Sequence, residues 1–264
     1  MAITSTANER VRLARSLNQA SGRRREGAYL IEGVRLVEEA LRAGVAPRLV
    51  LADVEALRRT ERGEALLEAL RPFGYLEVAE RVLASASETV TPQGVVAVVP
   101  LPERRVPADP GPLVLILDGV RDPGNLGTIL RAAEATGIVR VVVAVGCADP
   151  FGPKVVRAGM GAHFYLDILA DAKWPEVANL VGDRPTWLAT MRGGMLYDMV
   201  DWRRNSALIV GGEAAGASGE GAALATGRVS IPMAGRAESL NAAMAASVLV
   251  FEAARQRRTT SYRL

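Results

Sequence analysis

Asn125 and Arg131 stand in the stretch "DPGNLGTILRAAEATG", residues 122–137, directly after the apolar run "LVLILDG". A strand that runs into a Gly-flanked turn and then a helix is the layout of a nucleotide site, where helix N–H groups meet phosphate. The spacing argues against two such chemistries. No G-x-G-x-x-G follows a strand, and no acidic residue lies at the distance a dinucleotide fold needs. In "GGEAAGAS", Gly211, Gly216 and Ser218 have phosphate-loop spacing, but Ala217 replaces the lysine that binds the phosphates. Histidine occurs once, at His163, which rules out a His-rich metal site or a His/Cys zinc cluster within one chain. A Ser-His-Asp mechanism would rest on that residue alone, and no G-x-S-x-G elbow accompanies it.

The elements that must position these residues alternate. "LVLILDGV" reads as a strand, "LGTILRAAEATG" as a helix and "VRVVVAVG" as a strand. "PKVVRAGMGAHFYL" reads as a short helix running into a strand, "PEVANLVG" as a helix and "TWLATM" as a strand. "ALIVGGE" and "VSIPM" are further strands, and "SLNAAMAASVLVFEAARQRR" is a long last helix. Continuous apolar strands alternating with helices predict an α/β fold with a parallel sheet covered on both faces. Ligands collect at the carboxyl ends of such strands. Those ends carry "DGVRDPGNLG", "ATMRGG", "GGEAAGAS" and "PMAGRAESLN", so four loops rich in Gly or Asx residues should converge on one site.

Upstream, "PRLVLAD", "RGEALLEALRPFG", "YLEVAE" and "GVVAVVP" read as strand, helix, strand and strand. With Tyr29–Ile31 as a strand and Leu36, Val37, Ala40 and Leu41 at helical spacing before Gly44, they predict a small α/β domain. The expected organisation is an N-terminal domain over 1–100 with a basic arm over 1–25, a Pro- and charge-rich linker over 101–112, and a second domain over 113–264.

The 264 residues are 49% hydrophobic and 23% charged, enough to bury real cores. No apolar run is long enough for a membrane span, and the polar, basic first residues lack the apolar stretch of a secretory signal. One cysteine, Cys147, excludes an internal disulfide and fits a reducing compartment, the cytoplasm. The formal charge is +3, and every basic residue except Lys154 and Lys173 is arginine. Arginine pairs bidentately with phosphate and stacks on bases. A coding bias towards Arg and Ala accounts for much of this count, but not for the cluster Arg10, Arg12, Arg15, Arg23, Arg24 and Arg25, which the resemblance given next assigns to contacts with RNA phosphates.

Three stretches together resemble the SpoU/TrmH family of RNA ribose 2′-O-methyltransferases, of the SPOUT class: "NLGTILRAAEATG", "LIVGGEAAGAS" and "IPMAGRAESLNAAMAASVLVFEAARQR". "AYLIEGVRLVEEAL" and "GVVAVV" are similar to the substrate-binding domain of rRNA-modifying members, a fold like that of ribosomal protein L30e. The resemblance implies a sheet threaded into a deep trefoil knot whose loops hold S-adenosylmethionine. It also implies a homodimer with active sites near the subunit interface, and no metal. The extra N-terminal domain implies rRNA rather than tRNA as substrate.

The same resemblance assigns catalytic roles to Arg131, Asn125, Glu213, Ser239 and Asn241, and cofactor contacts to Thr190, Gly211, Gly212, Ile231, Met233 and Leu240. Each has a plainer structural reading. Asn125 and Ser239 are good N-caps, Arg131 has Glu134 at i,i+3 for an ion pair, and the apolar residues would serve as core. A ribose hydroxyl is a weak nucleophile and must lose its proton. A guanidinium is ordinarily too basic to take it, so Arg131 acts as a base only if its own proton passes elsewhere, or stabilises the developing alkoxide. Many family members carry Asn before the Glu of the second motif, where this chain has Gly212. A non-catalytic RNA-binding or ribosome-assembly factor that keeps the fold is the alternative, and the five intact polar residues argue against it.

Overall fold

The computed structural model describes residues 2–89, 92–103, 111–213, 216–236 and 238–258. Residues 104–110, most of the expected linker, lie outside it. The chain divides into two compact units, Met1–Glu103 with Phe151–Phe164, and Arg104–Pro150 with Tyr165–Leu264.

The first unit runs α1 (Glu9–Ser16), α2 (Ala20–Glu26), β1 (Ala28–Glu32), α3 (Val34–Arg42), β2 (Leu49–Ala52), α4 (Val54–Leu57), α5 (Glu61–Leu70), β3 (Leu76–Glu77), α6 (Glu80–Ala86) and β4 (Val95–Pro100). Its sheet has the order β1-β4-β2-β3, antiparallel except between β2 and β3. Leu36, Val37 and Ala40 bury one face of α3, and Gly44 closes its end in the left-handed region that favours glycine (φ 76°). α1 and α6 cover the sheet with Val11, Leu17, Val82 and Leu83. α2, α4 and α6 are short helices that the sequence reading did not anticipate.

The second unit opens with β5 (Leu113–Asp118), α7 (Pro123–Ala135) and β6 (Arg140–Ala144). The chain then joins the first unit for α8 (Pro153–Gly159) and a short 3-10 turn (Ala162–Phe164). There His163 is buried between the rings of Tyr29 and Phe151, with centroids 6.4 and 5.9 Å away. The expected domain ran unbroken over 113–264; the difference arises because "PFGPKVVRAGMGAHF" buries its apolar residues with the first unit. β7 (Asp167–Ala172), α9 (Trp174–Val181), β8 (Thr186–Thr190), β9 (Met195–Leu196), β10 (Ser206–Gly211), α10 (Gly219–Leu224), β11 (Gly227–Ser230) and α11 (Ala242–Arg257) complete the second unit.

Its seven strands take the order β7-β6-β5-β10-β8-β11-β9 and pair in parallel throughout. β5 and β6 are buried along their whole length, as a sheet covered on both faces requires. "VSIPM" was expected to be strand to its end, but β11 stops at Ser230 and leaves Ile231–Met233 as loop. α11 packs on α7, and the small residues Ala242, Ala243 and Ala246 are among those it buries.

In the first unit Glu32 ends β1 and pins the chain after α6. Its carboxylate accepts hydrogen bonds from Ser87 Oγ at 2.6 Å and from the Thr89 hydroxyl. Burial raises this carboxyl above the ordinary 4.5; the Ser87 bond and the charge of Arg157 oppose the shift, and Glu88 adds to it. A carboxyl raised on folding binds its proton more tightly in the native state. Its ionisation therefore costs no stability below pH 4.5 and an increasing amount as the pH rises through the folded value. We expect Glu32→Gln to remove this loss. Urea unfolding between pH 4 and 7 should show wild type losing stability relative to the variant as pH rises, and parallel curves would refute the assignment.

Candidate active site

The register of the second sheet sets where the loops begin. Gly211 of β10 lies opposite Asp118 of β5, and Ser230 of β11 opposite Thr190 of β8. Four carboxyl ends therefore finish along one edge, and the loops that follow β8, β10 and β11, with the start of α11, enclose a cavity of about 810 Å³. Thr190, Gly211, Gly212, Ile231, Met233 and Leu240 all line it, with Glu213 and Ser239. Leu188, Val210 and Leu249 supply apolar wall. An apolar pocket with main-chain polar groups and a few side-chain oxygens at its rim suits a nucleoside-bearing cofactor.

Two glycines of the β10 loop are fixed by close approach. A Cβ on Gly211 would stand 2.4 Å from the carbonyl carbon of Gly216, and one on Gly212 would stand 2.1 Å from the Gly119 oxygen. Gly212 and Gly216 exchange backbone hydrogen bonds at 3.1 Å in both directions. The departure from Asn at position 212 thus has a local reason: this backbone has no room there for a side chain.

Asp118, which the sequence reading did not single out, closes the same loop. It is 3% exposed, and its Oδ2 accepts from the Ser218 backbone N–H at 2.6 Å and from Ser218 Oγ at 2.9 Å. Ser218 in turn caps α10 by accepting from the Gly221 N–H. The available signal was an acidic residue ending an otherwise wholly apolar strand.

Asn125, Glu213 and Asn241 form one network. Asn125 Nδ2 donates to Glu213 Oε1 at 2.5 Å, and Asn241 Nδ2 donates to Asn125 Oδ1 at 2.9 Å. The helix caps differ from expectation. Asp122 caps α7 by accepting from the Asn125 N–H at 2.7 Å, with Pro123 in the first turn. Asn125 sits inside the helix, which frees its amide for the network. Asn241, not Ser239, caps α11, its Oδ1 accepting from the N–H groups of Ala243 and Met244.

Arg131 stands apart. It is exposed and does not line the cavity. Among the described residues its side chain makes no hydrogen bond or ion pair, including none with Glu134. It lies six residues beyond Asn125, about 9 Å along the helix axis.

The arginines of the first unit divide. Arg23 is 5% exposed and donates to the carbonyls of Leu17 and Asn18, so its guanidinium holds α1 to α2 and does not face solvent. This corrects its expected place on an RNA-binding face. Arg15 donates to the Thr6 carbonyl, and Arg25 pairs with Glu26. Arg10, Arg12 and Arg24 are exposed, with side chains free of partners among the described residues. Cys147 donates to the Leu117 carbonyl at 3.2 Å, and burial pushes its thiol up, away from reactive thiolate. Among the described residues no group of three or more His, Cys, Asp and Glu is placed to hold a metal ion, and no helix is long and apolar enough to cross a membrane.

Residues 112–251 match the SpoU rRNA Methylase family, and residues 8–97 match the MRM3-like substrate binding domain. The chain belongs to the SpoU rRNA methylase family. This SpoU chain is 34% identical to the mitochondrial rRNA methyltransferase 3 of Mus musculus over 89% of its own length and 69% of the relative's. It is 32% identical to the 23S rRNA (guanosine(2553)-2′-O)-methyltransferase RlmP of Bacillus subtilis, covering 94% of this chain and 97% of that one. The crystal structure of AdoMet-bound rRNA methyltransferase from Sinorhizobium meliloti superposes with a TM-score of 0.84 at 30% identity, over 98% and 99% of the two chains.

The Asp118 contacts give a stability test within the SpoU unit. Asp118→Ala leaves two half-buried donors of Ser218 without their acceptor and should cost about 1 kcal/mol in urea unfolding. Asp118→Asn, which keeps one acceptor oxygen, should cost less. Equal losses would mean that the carboxylate's hydrogen bonds do not hold the loop.

Proposed function

We propose that this protein is an S-adenosylmethionine-dependent methyltransferase acting on the 2′-hydroxyl of a ribose in rRNA. The observation that carries the reading is the Asn125–Glu213–Asn241 network at the rim of a cavity that all six expected cofactor residues line. The rRNA-methylating relatives and the matched substrate-binding domain support rRNA over tRNA.

The walls around Ile231 and Leu240 would hold the adenosyl group, with main-chain groups at Gly211 and Gly212 reading its polar edge. The cofactor supplies an electrophilic methyl group. Transfer to the ribose oxygen would form a C–O bond as the S–C bond breaks, releasing the neutral thioether S-adenosylhomocysteine, and the hydroxyl proton would pass to solvent. Asn125, Glu213, Ser239 and Asn241 orient the ribose and fix the loops around it. Arg131 acts by stabilising negative charge on the ribose oxygen and the adjoining phosphate. The absence of any partner to Arg131 among the described residues supports this role over that of a base, which would need a group to take its proton on.

The site is completed in a homodimer. α11 presents Met244 and Phe251, 57% and 46% exposed, beside the α7 that carries Arg131. Pairing of this face with its copy would bury both and bring Arg131 to a shared interface. The late strand β10 lies between the earlier β5 and β8, which supports the threaded, knotted connection of the class. Arg10, Arg12 and Arg24 serve RNA phosphates in the first unit. The single, half-buried thiol suits the cytoplasm.

The test is transfer of labelled methyl to unmodified 23S rRNA with mapping to a 2′-oxygen; tight RNA binding without transfer would favour an assembly factor. Arg131→Ala should lower turnover at least a hundredfold while leaving cofactor affinity within twofold. Near-normal turnover would remove Arg131 from the mechanism. Light scattering at micromolar concentration should report a dimer, and a monomer would exclude a shared site.

A further inference from the structure

Beside the cofactor cavity lies a smaller lobe of about 460 Å³, lined by Met191, Arg192, Ile231, Met233, Arg236 and Glu238 among others. The two share part of their wall. Met191, Arg192, Ile231, Met233 and Glu238 line both, whereas Arg236 lines only the smaller one. None of the roles assigned above uses either arginine.

The fold delivers these guanidiniums deliberately to one place. Thr190 ends β8 opposite Ser230, which ends β11, so Arg192 and Arg236 leave the sheet at the same edge on neighbouring loops. The β8 loop is a tight turn. Gly193 and Gly194 take φ of 77° and 84°, and a Cβ on Gly194 would stand 2.5 Å from the Arg228 carbonyl oxygen. Thr190 Oγ1 donates to the Gly193 carbonyl at 3.2 Å, which ties the tip of the turn to the strand end. Arg192 sits at that tip. Both arginines are exposed, and among the described residues neither makes a hydrogen bond or ion pair. Glu238 is the acidic residue of the lobe and pairs with neither of them.

Two unpaired guanidiniums on one concave surface attract an oxyanion, and their planar forks match its oxygens bidentately. We infer that Arg192 and Arg236 form a clamp for a backbone phosphodiester of the substrate RNA next to the methylated ribose. This rests on the methyltransferase reading and adds a subsite to it. A carboxylate presents the same chemistry, and the cofactor carries one. Arg236 favours the phosphodiester, because it faces the lobe that none but two of the expected cofactor residues, Ile231 and Met233, help to line. A phosphate contact fixes register without reading sequence, which is what a transferase needs to hold one ribose against a fixed methyl group.

The experiment compares full-length wild type with Arg192→Ala, Arg236→Ala, the double Ala variant and the double Lys variant. Affinity for an unmodified 23S rRNA transcript is measured across a salt series, S-adenosylmethionine affinity by calorimetry, and methyl transfer in parallel. Each Ala substitution should weaken RNA binding on the order of tenfold and flatten the dependence of log affinity on log salt by about 0.7. Cofactor affinity should stay within twofold. The double Lys variant keeps both charges and should keep the wild-type salt slope. Unchanged RNA affinity and slope in the double Ala variant would overturn the clamp. So would a loss of cofactor affinity with RNA binding intact, which would assign the pair to the cofactor carboxylate, or a slope that falls as far with Lys as with Ala. If wild type transfers no methyl group but the Ala variants flatten the slope, the arginine pair still holds an RNA phosphate and it is the methyltransferase reading that fails.

Discussion

The level ending of parallel strands is the constraint on which the site depends. In the second unit β5, β10, β8 and β11 are hydrogen-bonded side by side, with Asp118 opposite Gly211 and Thr190 opposite Ser230. Each of these strands has a hydrogen-bonded neighbour on both sides, so the backbone polar groups are paired along the strands and become available where the strands stop. Function is confined to that edge because it is where chain direction changes and main-chain donors and acceptors become available. A one-residue slip in any of these pairings would turn Asp118 or Thr190 to the opposite face. The apolar interior of Val114, Ile116, Leu188 and Ile209 holds the register and thereby aims the loops.

Register brings loops to one edge but does not hold them together, and long-range polar links do that. Asp118 reaches Ser218 across 100 residues of sequence, Asn125 reaches Glu213 across 88, and Asn241 reaches Asn125 across 116. These are hydrogen bonds between side chains, or from a backbone N–H to a buried carboxylate, and they join the loop after β10 to the end of β5 and, through Asn125, to the starts of α7 and α11. Closing such long loops costs entropy, and much of that cost is already met by the sheet and by the packing of α11 on α7. The links therefore select one arrangement among those the packed core permits.

Most of this architecture was legible in the sequence because it rests on periodicity. Runs such as "LVLIL" and "VVVA" have no polar position and can only be buried strands, and the Gly- and Asx-rich stretches after them had to be loops at one end. The residues lining the cavity came from the resemblance of three motifs, since Ile231 or Leu240 taken singly reads as core. The capping residues were misread for a physical reason. Asp122 and Asn125 are both able to accept from a helix N-terminus, as are Ser239 and Asn241, and the choice depends on where the chain enters the helix, which Pro123 and the turn before it decide. Arg23 looked like its neighbours Arg24 and Arg25, and only the approach of α1 to α2 buries it. β9 is too short to carry a periodic signal, and the packing of 151–164 with the first unit is tertiary throughout.

The misread caps also explain how capping and a long-range link coexist in one side chain. A carboxamide carries an acceptor and a donor on a single rigid plane. Asn241 uses its oxygen to cap α11 and its nitrogen to hold Asn125. Asn125, relieved of capping by Asp122, uses its nitrogen for Glu213 and its oxygen for Asn241. A carboxylate at either position could accept but not donate, and a hydroxyl is too short to span both partners, so the chain of bonds from Glu213 to α11 requires amides at both places. The N-terminus of α11 is thus tied to the loop that bears Glu213, and any displacement of that loop is felt at the helix start. Arg131, outside this chain of bonds, is exposed, and its side chain has no partner among the described residues.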